Sequence, residues 1–175
     1  MGFTKRQWLS ALSLLVLVVY STTTLADAES SLPYPVGPVV LKVTGNITHT
    51  NTEDEAHFDR AMLRDLPLHE FATTTPWTEG TSVYSGPLLR DFLDRLGAEG
   101  EQIHVQALNG YEAHIPLSDL DKYDVLLAMD RDGEAMPIRD YGPLWVLYPF
   151  DHHEELLSEK IRFRAVWQVM HIHVL

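Results

Sequence analysis

The sequence contains no cysteine among its 175 residues. A chain without thiols forms no disulfide bond, and it supplies neither a thiolate nucleophile nor a thiolate ligand for a metal. Every mechanism that depends on an anionic sulfur of the protein is therefore excluded.

Basic side chains are scarce as well, because 13 lysine and arginine residues stand against 25 aspartate and glutamate residues. The formal net charge is −12 at pH 7 with the nine histidines neutral. Nucleic acids and anionic membrane surfaces repel a protein of this charge. The composition therefore disfavours both as partners.

Long apolar runs are absent except near the start, where residues 8–20 are mostly apolar. This run follows a short basic segment and leads to the small residues of 25–28. That order is typical of a secretory signal, and the run is shorter than the roughly 20 residues of a membrane span. We expect residues 1–26 to be a signal peptide cleaved after Ala26 or Ala28. The mature protein would be periplasmic or secreted, with no transmembrane segment.

The rest of the chain predicts one α+β domain. Residues 27–38 are rich in proline and predict an extended leader, and residues 39–175 are expected to form a single domain. Asp59 stands at the N-cap of a short predicted helix, and residues 87–96 place apolar side chains on one face of a second helix that Gly97 ends.

The predicted strands point to mostly antiparallel or mixed sheets with a few helices. Asn109-Gly110 and Asp132-Gly133 each predict a tight hairpin, because such pairs adopt the positive φ angles that these turns need. The strands flanking the two turns are predicted at 103–108 with 111–115 and at 125–129 with 134–138. Further strands are predicted at 39–45, 144–148 and 163–174.

Five segments carry a recognisable pattern. They are Trp77 followed by Gly86-Pro87-Leu88, Tyr111–Leu117, Asp124–Met129 followed by Asp132-Gly133-Glu134, Ile138–Leu144 leading into Trp145–Pro149, and Trp167. In this order, over about residues 38 to 175, they resemble the sulfite-oxidase-type molybdopterin-binding domain. The resemblance implies that family's fold and a pterin cofactor whose molybdenum is completed by a cysteine thiolate. It also implies oxygen-atom transfer, or reductions such as those of sulfoxides.

The chain departs from this family at the positions that would hold the cofactor. The resemblance places the cysteine about four residues before Trp77, where this chain has Thr73, or Thr74 if the loop differs by one residue. Trp145 and Val166 stand where the family has an arginine and a lysine, which would bind the phosphate of the pterin. We therefore expect no cofactor and no metal ligand. Molybdopterin is expected only if the chain is an oxidoreductase that holds it in a non-standard way.

Tyr111 matches the active-site tyrosine of the family and is the catalytic candidate. It would either donate a hydrogen bond in the pocket or pack as an aromatic residue beside the hairpin turn. Arg139 and Tyr141, together with the two threonines, are the cofactor-binding candidates. Arg139 would anchor an anion or, as the acidic composition favours, pair with Asp140 or Asp132.

Three other groups of residues leave alternatives open. His171 and His173 share one face of the last predicted strand, as metal ligands can, or they are solvated at its end. The loop 151–155 combines polar ligand types, or it is an exposed loop before a helix. The tryptophans at 77, 145 and 167 either line one pocket, which would favour an apolar or aromatic ligand, or pack in the core.

These observations lead to three functional hypotheses. The first is an exported relative of the family that has lost the metal chemistry and binds a small molecule, an exported protein or a membrane sensor. The second is a molybdopterin-dependent oxidoreductase. The third is a structural partner of another exported protein.

Overall fold

The structure, a computed structural model, describes residues 32–175. The predicted signal peptide and residues 27–31 of the leader lie outside the described residues. The backbone amides of Val36 and Gly37 donate hydrogen bonds to the carboxylate of Asp59. The described part of the leader is therefore hydrogen-bonded to the residue that precedes the first helix. Within residues 32–175, no helix has the length and apolar character needed to cross a membrane.

The described chain consists of short strands and a few short helices. The strands are β1 (Val39–Gly45), β2 (Ala56–Asp59), β3 (His69–Thr75), β4 (Thr78–Gly86), β5 (Gln102–Ala107), β6 (Glu112–Pro116), β7 (Leu126–Ala128), β8 (Asp130–Arg131), β9 (Glu134–Ala135), β10 (Trp145–Leu147) and β11 (Val169–Val174). The helices are α1 (Arg60–Arg64), α2 (Leu89–Arg95), α3 (Leu117–Lys122) and α4 (Glu159–Arg162), with 3-10 turns at Ile138–Asp140 and Glu154–Leu157.

The strands form three sheets. The largest has the order β2-β1-β11-β5-β6, and its β1–β11 pair is parallel while the other pairs are antiparallel. A second sheet has the order β3-β4-β8-β9, and β10 pairs with β7 in a third. The predicted α+β class with mostly antiparallel or mixed sheets is confirmed.

Helix α2 packs its apolar face into the core. Leu89, Phe92 and Leu93 are buried on its inner face, as the apolar periodicity predicts. The helix is shorter at its start than predicted, and Pro87 precedes the N-cap residue instead of lying in the first turn. The reason is tertiary, because the carbonyl oxygen of Pro87 accepts a hydrogen bond from the amide of Leu127 in β7.

Both predicted hairpin turns are present, with differences in detail. At Asp132-Gly133 both residues have positive φ angles, of 53° and 80°, whereas only Gly110 does so in the Asn109-Gly110 turn. The hairpin around Asp132 is much shorter than predicted. In place of its first predicted strand, 125–129, the structure has two short strands, β7 and β8. Only β8 pairs with β9 across the turn, whereas β7 pairs with β10 in another sheet.

The predicted strand at 163–174 is wrong in its first half. Strand β11 begins at Val169, and Gln168 adopts a left-handed conformation with φ of 56°. Its amide donates to the carbonyl oxygen of Tyr141, which holds the chain in this bend. The predicted alternation of faces therefore fails across the bend: Val166 is buried, whereas 40% of Met170 is exposed.

The hairpin of β3 and β4 had no counterpart among the predicted elements. From the sequence, the threonine-rich run before Pro76 is expected to be part of a loop. In the structure, Pro76 lies in the turn between the strands, so β3 keeps its pairing from His69 to Thr75.

Candidate functional site

Thr73 and Thr74 lie on β3 against the loop that contains Asp151. The Thr73 hydroxyl is fully buried, donates to the carbonyl oxygen of Thr74 at 2.9 Å and accepts from the amide of Asp151 at 3.1 Å. The amide and the hydroxyl of Thr74 donate to the two carboxylate oxygens of Asp151, each at 2.6 Å. Both threonine hydroxyls are therefore engaged within the protein.

Asp151 is the residue of this arrangement that the sequence did not identify. The hydroxyl and the amide of Thr74 lower the pKa of its carboxyl, so the group is ionised at neutral pH and accepts both hydrogen bonds as a carboxylate. The sequence placed Asp151 in a loop of polar ligand types. No local pattern connected it to a threonine 77 residues away.

The three tryptophans meet in one aromatic cluster. The ring centroids of Trp77 and Trp167 are 5.2 Å apart at 62°, and Trp145 lies 5.8 Å from Trp77 and 6.2 Å from Trp167. Tyr141 stacks on Trp145 at 4.8 Å, and its hydroxyl donates to the carbonyl oxygen of Trp77 at 2.8 Å. Tyr141 therefore packs against the cluster, and its hydroxyl proton is used in a hydrogen bond to the backbone.

The cluster separates into a core part and a part that faces a cavity. Trp145 is fully buried, and its indole nitrogen has no hydrogen-bond partner among the described residues. Trp77 and Trp167 are partly exposed and line a cavity of about 330 Å³. Each of the two alternatives therefore holds for part of the group: Trp145 packs in the core, whereas Trp77 and Trp167 line the cavity.

Aromatic side chains dominate the walls of this cavity. Tyr111 and Phe163 remain 41% and 58% exposed, although both are large and largely apolar. Such exposed aromatic groups around a concave surface are typical of ligand sites. The complete lining consists of Trp77, Asn109, Tyr111, Glu159, Arg162, Phe163, Ala165 and Trp167.

Tyr111 follows the hairpin turn, and its ring forms part of the cavity wall. Its amide donates to Asn109 Oδ1 at 2.9 Å, and its hydroxyl donates to the carbonyl oxygen of Phe163 at 2.8 Å. Partial burial raises the pKa of the phenol, which keeps it protonated. The hydroxyl proton points to the backbone in this arrangement, and a catalytic role for Tyr111 stays a prediction.

Arg139 lies at the surface, with 86% of its side chain exposed. Its Nε is 3.4 Å from Asp140 Oδ2, whereas Asp132 pairs with Arg131 at 3.7 Å. Arg139 is not among the residues that line the aromatic cavity. The geometry thus agrees with the ion-pair alternative with Asp140.

His171 and His173 take part in a hydrogen-bond network on the outer face of the large sheet. The hydroxyl oxygen of Thr44 lies 2.8 Å from both His171 Nε2 and His173 Nδ1, and His171 Nδ1 lies 2.9 Å from Gln106 Oε1. Burial and the neighbouring His173 lower the pKa of His171. Within residues 32–175, no three histidine or carboxylate side chains are grouped so as to hold a metal ion.

Sequence reasoning missed Glu159, Arg162 and Phe163 as cavity residues. No element was predicted at 159–162, where the structure forms the short helix α4, and Phe163 was predicted to begin the last strand. Acidic and basic side chains around positions 158–162, followed by an aromatic residue, were the available signal.

Comparisons with known proteins agree with this architecture. The sulfane dehydrogenase SoxCD from Paracoccus pantotrophus matches with a TM-score of 0.56 and 17% sequence identity. The match covers 77% of this chain and 37% of that one, and at this identity it concerns the fold alone. No curated protein matches at the level of sequence.

A family model decides the assignment. The model of the oxidoreductase molybdopterin binding domain matches residues 41–150, well over half of the chain. It confirms the predicted sulfite-oxidase-like molybdopterin-binding fold, together with the structural match. The chain belongs to the oxidoreductase molybdopterin binding domain family.

Proposed function

We propose that this protein is an exported member of its family that binds a small ligand in the aromatic cavity instead of using a molybdenum cofactor. An exported protein or a membrane sensor would then recognise the ligand-bound form of the protein. The proposal is carried by the cavity that Trp77, Tyr111 and Trp167 line. It is supported by Thr73 and Thr74, whose hydroxyls are already hydrogen-bonded within the protein.

The residues at the threonine pair do not fit the family's metal group. Molybdenum in these domains takes a soft anionic sulfur donor, whereas Thr73 and Thr74 offer neutral hydroxyls. The buried Thr73 hydroxyl is held by two backbone groups, and the Thr74 hydroxyl is held by Asp151. A metal would have to displace these bonds without gaining a thiolate.

The two positions at which basic residues of the family would bind the pterin phosphate, 145 and 166, carry no cationic side chain. The positions of Trp145 and Val166, where the family has basic residues, are buried and apolar. Arg139 is exposed and lies beside Asp140. An anionic cofactor would therefore meet no charge-assisted hydrogen bonds at positions 145 and 166.

The cavity has the properties of a small-molecule site. Its volume of about 330 Å³ is at the lower end of the roughly 300–1,000 Å³ of known ligand pockets. Apolar and aromatic surface predominates, and a few polar groups are available to orient a ligand. A compact ligand with apolar or aromatic surface fits these walls best.

Metal analysis tests the proposal against the alternative of a molybdopterin-dependent oxidoreductase, which family membership favours. Protein isolated from a host that produces the cofactor is expected to contain neither stoichiometric molybdenum nor pterin fluorescence. Stoichiometric molybdenum together with turnover of an oxygen-atom-transfer substrate would establish the oxidoreductase instead.

A threonine-to-cysteine exchange tests the positional assignment. Thr73→Cys supplies the missing thiolate, so molybdenum loading in the same host would show that position 73 corresponds to the family's ligand. Thr75→Cys is the matched control, because Thr75 is a buried threonine on the same strand. Equal loading of both variants would contradict the assignment.

Ligand binding is tested directly by thermal unfolding. Small aromatic probes such as indole and 2-naphthol are expected to raise the melting temperature, since a ligand that binds only the folded state stabilises it. Trp167→Leu should abolish the shift. If no probe raises the melting temperature, the third hypothesis, a structural partner of another exported protein, replaces the proposal.

A further inference from the structure

We propose, building on the ligand-binding function above, that the cavity accepts a small zwitterion that carries a quaternary ammonium group and a carboxylate, a compound of the betaine class. The aromatic walls and Glu159 would receive the ammonium group, and Arg162 would receive the carboxylate. Three features of the cavity support this ligand class: the angle between its aromatic walls, the charges at its rim and its size.

The aromatic walls form a corner instead of a flat slot. The rings of Trp77 and Trp167 meet at 62° with centroids 5.2 Å apart, so these two walls stand at an angle to each other. Tyr111 and Phe163 complete the wall. A compact, rounded cation is attracted by several ring faces at once, and cages of aromatic side chains bind quaternary ammonium groups in this way.

The charged residues at the rim have opposite signs. Glu159 and Arg162 lie three positions apart on α4, and side chains at this spacing project from the same side of a helix. Among residues 32–175, neither side chain takes part in a salt bridge or a hydrogen bond. Both charges are therefore available to a ligand that carries one charge of each sign.

The surroundings favour a cationic group over a purely anionic ligand. The chain has a net charge of −12, which raises the local concentration of cations near its surface. A guanidinium binds a carboxylate in a bidentate manner, so Arg162 fixes the orientation of the ligand. A cavity of about 330 Å³ is suited to a compact molecule of this kind.

Isothermal titration calorimetry of the full domain with three matched compounds tests the assignment. Glycine betaine is compared with 3,3-dimethylbutanoate, which has the same shape and carboxylate but a carbon atom in place of the charged nitrogen, and with choline, which lacks the carboxylate. We expect glycine betaine to bind at least about tenfold more tightly than 3,3-dimethylbutanoate. Equal affinities of these two compounds, or no binding of glycine betaine at millimolar concentration, would overturn the proposal.

Substitutions separate the roles of the two charges. Arg162→Gln should weaken glycine betaine about tenfold and leave choline unchanged, whereas Glu159→Gln should weaken both. Lys160→Gln and Glu154→Gln are the controls, because both residues are exposed nearby and neither lines the cavity. An equal loss of glycine betaine affinity in Arg162→Gln and Lys160→Gln would refute the assignment of Arg162.

The same titrations distinguish this inference from the function on which it rests. If indole or 2-naphthol stabilises the protein and glycine betaine does not bind, the cavity is a ligand site and the zwitterion is wrong. If none of these compounds binds, both proposals fail.

Discussion

The contact between Asp151 and Thr74 should make a measurable contribution to stability. Asp151→Asn keeps the size of the side chain but leaves one oxygen acceptor for two donors of Thr74, and it places an NH₂ group against the other donor. Hydrogen bonds to a charged group contribute about 1.5–3 kcal/mol each when buried. Because Asp151 is exposed, we expect a total loss of about 1–2 kcal/mol in the free energy of unfolding.

A double-mutant cycle with Thr74→Val measures the hydroxyl contact alone. Denaturant unfolding of the two single variants and the double variant should give a coupling energy of about 1 kcal/mol. Thr74→Ser, which keeps the hydroxyl, is the control and should retain most of the stability. Strictly additive effects of Asp151→Asn and Thr74→Val would refute the inference that these groups interact.

The pH dependence supplies an independent test of the same contact. The folded state lowers the pKa of Asp151, so its stabilising effect is fully present above the unfolded value of about 3.9 and is lost as the pH falls through the lower folded value. The Asp151→Asn variant should therefore lose less stability than the wild type on acidification below about pH 4. Parallel stability curves of the two proteins would contradict this explanation.

Three further predictions concern the framework around the site. Arg164→Met should lower the free energy of unfolding by about 3 kcal/mol in urea titrations, because the largely buried Asp119 loses its ion-pair partner at 2.6 Å. Adding Asp119→Asn should recover part of the loss. Gly86→Ala should prevent folding or lower the free energy of unfolding by at least about 3 kcal/mol, measured by circular dichroism, since a Cβ there lies too close to a carbonyl oxygen of β7. Gly37→Ala is the control, because a Cβ at that position meets only ordinary contacts, and it should be nearly neutral. His171→Gln should reduce the loss of stability as the pH falls below about 6.5, because the folded state lowers the pKa of this histidine and its protonation destabilises the wild type. An unchanged dependence of the melting temperature on pH would refute this explanation.

Local patterns in the sequence predicted the elements whose signals are contained within a few residues. The φ angles that Asp132-Gly133 requires, the N-cap at Asp59 and the apolar face of α2 are examples, and the structure has all three. The prediction failed where a distant contact determined the backbone. Gln168 bends the chain because its amide meets the carbonyl oxygen of Tyr141, and no pattern around Gln168 encodes that meeting.

The candidate site was predicted only in part, for the same reason. The sequence selected the tryptophans at 77 and 167 and Tyr111 because a family pattern runs through them. It did not select Arg162, which lies at the end of α4, or Phe163, which follows that helix and was placed at the start of the predicted last strand. The residues of the cavity come from three separate parts of the chain, and their proximity arises only when the sheets and α4 pack.

By itself, the sequence determined the absence of thiol chemistry, the acidic charge, the two hairpin turns and the fold class, because composition and short-range backbone preferences are sufficient for these. The tertiary structure alone decided that Asp151 occupies the hydrogen-bonding groups of Thr74 and that Trp77 and Trp167 form a corner rather than a slot. Both arrangements depend on the relative placement of segments that are about 80 or 90 residues apart, which local preferences do not specify.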